Sequence, residues 1–212
     1  MRKIKICALF AYVNQGYIDY FETNYDVEWV QEYDEDVTFA LFTGGPDVNP
    51  VLYNENKGNF TWTDEERDEI EVKFFNSLPT ELFKIGICKG GQLLTVLAGG
   101  KLIQHVTGHM DYHNIITHEN EVIPVTSDHH QMMYPFDMDI NQYKILARSE
   151  INRSDKYLNG NNKIMKIPMN FVEPEIVYYN EINALTCQGH PEYSTANELF
   201  KQLFVKLINE KI

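Results

Sequence analysis

A buried strand that runs straight into a helix through a glycine-flanked cysteine is the feature that most constrains this chain. Phe83-Lys84-Ile85-Gly86-Ile87 is a short apolar run, and Cys88-Lys89-Gly90-Gly91-Gln92-Leu93-Leu94 follows it with helical patterning. A turn this sharp needs small neighbours, because side chains collide at strained backbone angles. The spacing Gly86-x-Cys88-x-Gly90 is the cysteine form of a nucleophile elbow, which lifts the sulfur out of the sheet towards a ligand. The helix start adds unpaired N–H groups and a positive dipole end, and both favour thiolate over thiol. Cys7, inside the apolar run Ile4 to Phe10, has no such setting and reads as a core cysteine.

A nucleophile needs a base. Gln188-Gly189-His190-Pro191-Glu192 follows the strand-like run Asn183 to Cys187. Pro191 disfavours helical conformation at His190, which keeps the imidazole and the Glu192 carboxylate in one short rigid loop. A carboxylate two residues away can hold one ring nitrogen while the other faces the sulfur. That is the nucleophile, base and orienter logic of a catalytic triad.

Periodicity supplies the frame. Ile4 to Phe10, Val37 to Phe42 and Phe83 to Ile87 are apolar runs suited to central parallel strands. Thr63-Asp64-Glu65-Glu66 reads as a capping box that opens a helix to about Leu78. A second helix is predicted from Gly91 to Ala98, ending at Gly99-Gly100. Between Lys101 and Cys187 the pattern is strands and loops, with strands at 121–125, 143–147 and 176–179. Thr195-Ala196-Asn197-Glu198 reads as another capping box, opening a last helix whose Leu199, Phe200, Leu203, Phe204 and Leu207 repeat at core-packing spacing. Alternating strands and helices predict a single α/β domain over residues 1–212, doubly wound around a central, mostly parallel sheet. Gly44-Gly45, Cys88 and His190 each follow a predicted strand, where ligands bind in such sheets.

With these residues in place the chain resembles a known family. Gly86 to Gln92, read as Gly-x-Cys-x-Gly-x-Gln, with a later His-Pro-Glu, is similar to the class I glutamine amidotransferase superfamily, whose fold is flavodoxin-like. The resemblance implies a Cys88-His190-Glu192 triad. It implies an oxyanion hole made by a backbone N–H from Gly44 or Gly45, in the loop Thr43 to Pro50, and one from Lys89. That loop and Val125 to Gln131 look most like the γ-glutamyl hydrolase branch (peptidase C26), which includes γ-glutamyl-γ-aminobutyrate hydrolases. Two features depart from that branch: Lys89 stands where arginine is frequent, and the stretch from Gly99 to His130 is shorter. The implied chemistry is cleavage of a small γ-glutamyl amide through a glutamyl-thioester, with Gln92 and His129 lining the substrate pocket and no cofactor. The alternative is a glutaminase subunit that delivers ammonia to a separate synthase partner. A catalytically quiet regulatory relative is disfavoured by the complete triad.

Composition narrows the partners. A net charge of −13 argues against nucleic acid and anionic membrane. Three cysteines without framework spacing suit a reducing cytoplasm, and no apolar run reaches membrane-spanning length. His105, His109, His113 and His118 suggest a metal site by spacing, and the first three would share one face of a helix, but Gly108 interrupts that segment and its flanks read as strand and loop, so no metal site is expected.

Overall fold

The computed structural model describes all 212 residues. Its frame is a nine-stranded sheet in the order β2-β1-β3-β4-β11-β10-β9-β6-β7. One half holds β1 (Lys3–Cys7), β2 (Asp26–Val30), β3 (Phe39–Phe42), β4 (Phe83–Ile87) and β11 (Ala184–Cys187). All neighbours in that half are parallel. β3 and β4 are buried at every residue, which is why both read as unbroken apolar runs.

Helices cover both faces. α1 (Gln15–Asn24) and α4 (Glu198–Asn209) pack Phe21, Phe200 and Phe204 on one face of the sheet. α2 (Glu65–Ser77) and α3 (Lys89–Leu97) pack Phe74, Leu93 and Leu94 on the other. The sheet is therefore doubly wound, as its alternating pattern predicts.

Beyond α3 the chain leaves the parallel half. β5 (Lys101–Ile103) pairs only with β8 (Met132–Tyr134). β6 (Tyr112–Thr117), β7 (Val122–Thr126), β9 (Tyr143–Ser149) and β10 (Pro174–Tyr179) extend the main sheet antiparallel. β11 then returns to lie beside β4, with Cys187 opposite Ile87. This return gives the fold its functional geometry. β3, β4 and β11 are adjacent and parallel, so the residues that follow each of them emerge together.

Local differences from the sequence reading have simple causes. Neither predicted capping box forms. Asp64, not Thr63, caps α2, accepting from Arg67 N–H at 3.1 Å. Asn197, not Thr195, caps α4 through Leu199 N–H at 2.9 Å. In each case an Asx side chain nearer the first turn outcompetes the hydroxyl. α3 begins at Lys89, directly after the cysteine, rather than at Gly91. Periodicity does not announce α1 or β2. No helix is long and apolar enough to cross a membrane.

Candidate active site

Cys88 occupies a backbone conformation that side chains avoid, with φ 51° and ψ −113°. Its amide donates to Cys187 O at 2.7 Å and its carbonyl accepts from Gln92 N–H at 3.0 Å, so strand and helix fix the residue from both sides. The flanking glycines are required by close approach. A Cβ on Gly90 would sit 2.1 Å from Phe42 O, and one on Gly86 would sit 2.6 Å from the Gly90 backbone. The elbow therefore wedges β4 and α3 against β3 with no room for a methyl group.

His190 follows β11 and lies across from this elbow. Its backbone N–H donates to Thr126 O at 2.9 Å, and its Nδ1 lies 2.8 Å from Glu192 Oε1. Tyr193 stacks on the ring with centroids 4.2 Å apart and planes 18° from parallel. Nε2, the other ring nitrogen, is buried without a hydrogen-bond partner. A Cβ built on Gly44 would lie 3.5 Å from His190 Cε1 and 3.7 Å from Cys88 Cβ, so loop, imidazole and thiol-bearing carbon converge. Burial opposes a charge on His190, but Cys88 and Glu192 outweigh it and push its pKa well above the ordinary histidine value.

The glycine loop is held by residues that the sequence reading does not single out. Gly44 N–H donates to the Tyr17 hydroxyl at 2.7 Å, which leaves it engaged. The Arg67 guanidinium donates to Gly44 O at 2.8 Å and to Thr43 Oγ1 at 3.1 Å. In a trans peptide C=O and N–H point in opposite directions, so fixing Gly44 O turns Gly45 N–H away from Arg67. Of the two glycines offered by sequence, Gly45 is thus the one with a free amide. Lys89 N–H lies in the first turn of α3, where no intrahelical acceptor exists.

The Lys89 side chain points the other way. It is buried, ion-paired with Asp68 at 2.8 Å and with Glu71. Burial pushes its pKa down to about 8 against the pull of Asp68. Arg67 reaches Glu71 at 3.4 Å, and Asp68 Oδ2 accepts from Asn49 N–H at 2.7 Å. One buried network on α2 therefore ties the elbow to the loop Thr43 to Pro50.

Two cavities meet at Cys88, and both are also lined by Gly45 and Asp128. One, of about 230 Å³, is walled by Gln92, Trp62, His129, His130 and Gln131. The other, of about 280 Å³, is walled by Tyr17, Asn14, Val13, His190 and Tyr193. Gln92 donates to Gln131 O at 3.1 Å, bracing the first wall. His129 belongs to that wall, but its ring nitrogens are directed elsewhere: Nδ1 faces Gln131 O at 2.7 Å, and Nε2 is buried near His109 and Glu175. His130, with Nε2 3.1 Å from Asp47 Oδ1, is the more exposed of the pair. Cys7 and Cys187 are fully enclosed, and burial raises both thiols, Cys7 to about 11.

The peptidase C26 family model matches residues 16–155, and the chain belongs to that family. It is 32% identical over 108 residues to a glutamine amidotransferase-like protein of Lactococcus lactis, YvdE, a match that covers 46% of each chain. The chain thus aligns with about half the length of that relative. It is 26% identical over 191 residues to protein NtpR of Enterococcus hirae, covering 84% of this chain and 77% of that one. Among solved structures, it is similar to a glutamine amidotransferase of Thermotoga maritima (TM-score 0.56, 15% identity, 100% of this chain and 86% of that one). It is also similar to PurLQS of the same organism (TM-score 0.57, 15% identity, 99% of each chain). Family and fold together place the chain in the class I glutamine amidotransferase-like superfamily.

Proposed function

We propose that this chain is a cysteine-dependent amidohydrolase that cleaves a γ-glutamyl amide through a glutamyl-thioester, acting as one α/β domain over residues 1–212. The observation that carries this reading is the meeting of a strained, helix-capping Cys88 with the His190–Glu192 pair at the junction of two cavities.

In this mechanism the Cys88 thiolate attacks the amide carbon of the substrate, and the carbonyl electrons move onto oxygen. Gly45 N–H and Lys89 N–H donate to that oxyanion, each donor contributing about 3–4 kcal/mol in comparable sites. Protonated His190, oriented by Glu192, gives its Nε2 proton to the departing nitrogen, and the C–N bond breaks. Water then attacks the thioester, loses a proton to His190, and the Cys88 thiolate leaves with the glutamyl product released. The glutamyl group would occupy the Gln92 and Gln131 side and the leaving amine the Tyr17 and Tyr193 side.

The Arg67 anchor supports a hole that stands ready without a partner. Purified protein assayed with glutamine and a panel of γ-glutamyl amides should turn over at least one of them alone, and Cys88→Ala should abolish that turnover. Negligible hydrolysis of every amide, restored by adding a synthase, would favour the ammonia-donor alternative.

A further inference from the structure

A second cluster of chemically competent side chains lies behind the wall that carries His129. His109 and His129 come from the loops before β6 and after β7, and Glu175 from β10. One ligand atom from each lies within 4.8 Å of the other two, and all three residues are buried. We propose that His109, His129 and Glu175 bind one divalent first-row transition metal ion, with Zn²⁺ the best-fitting probe.

The hydrogen bonds around the cluster direct the correct atoms inward. His129 Nδ1 faces Gln131 O at 2.7 Å, and a carbonyl only accepts, so Nδ1 carries the proton and Nε2 presents its lone pair. His109 Nε2 faces Glu173 Oε2 at 3.0 Å and donates there, which leaves Nδ1 directed at the cluster. His113 Nε2 donates to Glu175 Oε1 at 2.9 Å, orienting that carboxylate from outside. Glu173 is itself held by Arg153 N–H at 2.8 Å, Ser154 N–H at 2.9 Å and the Tyr157 hydroxyl at 2.8 Å. Each inner residue therefore has an outer partner that sets its orientation, the arrangement that supports metal ligands.

The ring nitrogens facing the cluster make no hydrogen bond. His109 Nδ1, His129 Nε2 and Glu175 Oε2 are all buried without a hydrogen-bond partner. His109 Nδ1 lies 3.3 Å from Glu175 Oε1 without forming a hydrogen bond. Leaving such groups unpaired is costly, and a cation would satisfy all three. Charge points the same way. The Glu173 and Glu175 side chains are 0% and 2% exposed and both lie against His109, so positive charge at this point, from an imidazolium or a metal ion, is favoured. Two imidazoles and a carboxylate suit zinc and its neighbours rather than calcium or magnesium. The ion would pin the loops before β6 and after β7 to β10, and so stiffen the wall of the Gln92 cavity.

The test uses full-length Cys88→Ala, which removes the catalytic thiol as a competing ligand. Stripped with a chelator and titrated with Zn²⁺ against a chromophoric competitor, it should bind one equivalent. His109→Gln and Glu175→Gln should each weaken that binding more than 100-fold, and Glu173→Gln about 10–100-fold. Zinc-edge X-ray absorption of the loaded protein should report nitrogen and oxygen ligands with imidazole scattering, a readout that stands even if those variants fail to fold. Absence of a stoichiometric site, equal affinity in folded His109→Gln and Glu175→Gln, or a sulfur ligand would each overturn the assignment.

Discussion

Cys88 joins a strained backbone to the proposed nucleophile in one residue. Its φ of 51° with ψ of −113° suits glycine, and such conformations cost a non-glycine residue about 1–3 kcal/mol. Cys88→Gly and Cys88→Ala both remove the sulfur, but only glycine relaxes the backbone. Urea denaturation should therefore find Cys88→Gly more stable than Cys88→Ala by about 1 kcal/mol, after glycine's extra unfolded-state entropy is offset. Equal midpoints would show that the elbow is unstrained. His190 supplies a pH prediction. Its pKa is raised, so the ring keeps its proton through neutral pH and releases it on the alkaline side. Glu192 is one cause of that rise, so Glu192→Gln should move the alkaline limb of kcat/KM to lower pH. It should also lower kcat by about 10²–10⁴-fold, less than His190→Ala. A limb that stays in place would remove Glu192 from its proposed role.

At the scale of elements, α2 acts as a brace. Arg67 holds the Gly44 carbonyl, and the same helix carries the Asp68 and Glu71 carboxylates that bind Lys89 at the start of α3. Arg67→Ala frees the Gly44–Gly45 peptide to rotate. Its kcat should fall about 10²-fold, the scale of one lost oxyanion donor, with KM little changed. A rise in KM at constant kcat would assign Arg67 to ground-state binding instead. β4 has its own anchor at the opposite end. Lys84 is buried, with Nζ within 3.1 Å of the carbonyls of Pro79, Thr80, Leu82 and Ile182. Lys84→Met leaves those acceptors without their donor and should cost about 1–3 kcal/mol in urea denaturation, far from the chemistry.

The whole molecule carries 31 acidic side chains against 18 basic ones. Self-repulsion on that scale weakens the compact state, and salt screens it. Raising NaCl from about 10 to 150 mM, over which the screening length falls from about 30 to 8 Å, should lift Tm. A shift of about 2–4 °C would correspond to roughly 1 kcal/mol for a chain of this size. An unchanged or lower Tm would mean that attractive ion pairs outweigh the net charge. The parallel half of the sheet is the other whole-molecule feature: it gathers the Gly44 loop, Cys88 and His190 from positions up to 146 residues apart.

Local sequence determined the elbow, the parallel strands around it and the alternation that makes the sheet doubly wound. Each of these depends on a residue's near neighbours: glycines beside a cysteine, apolar runs of strand length, a helix directly after. It also marked Cys88, His190 and Glu192 as candidates, because a sharp turn and a His-Pro-Glu loop are written in consecutive residues. Only the tertiary structure decided what meets them. Tyr17 and Arg67 reach the Gly44 loop from two helices, and nothing local to either residue marks that contact. The histidines near residue 109 followed the same rule. Their spacing suggested a shared face only in a helix, whereas β6 and its preceding loop bring His109 and His113 to Glu173 and Glu175 across the sheet. Short-range steric and periodic constraints can be read from sequence, but contacts across the fold exist only once burial has chosen which faces touch.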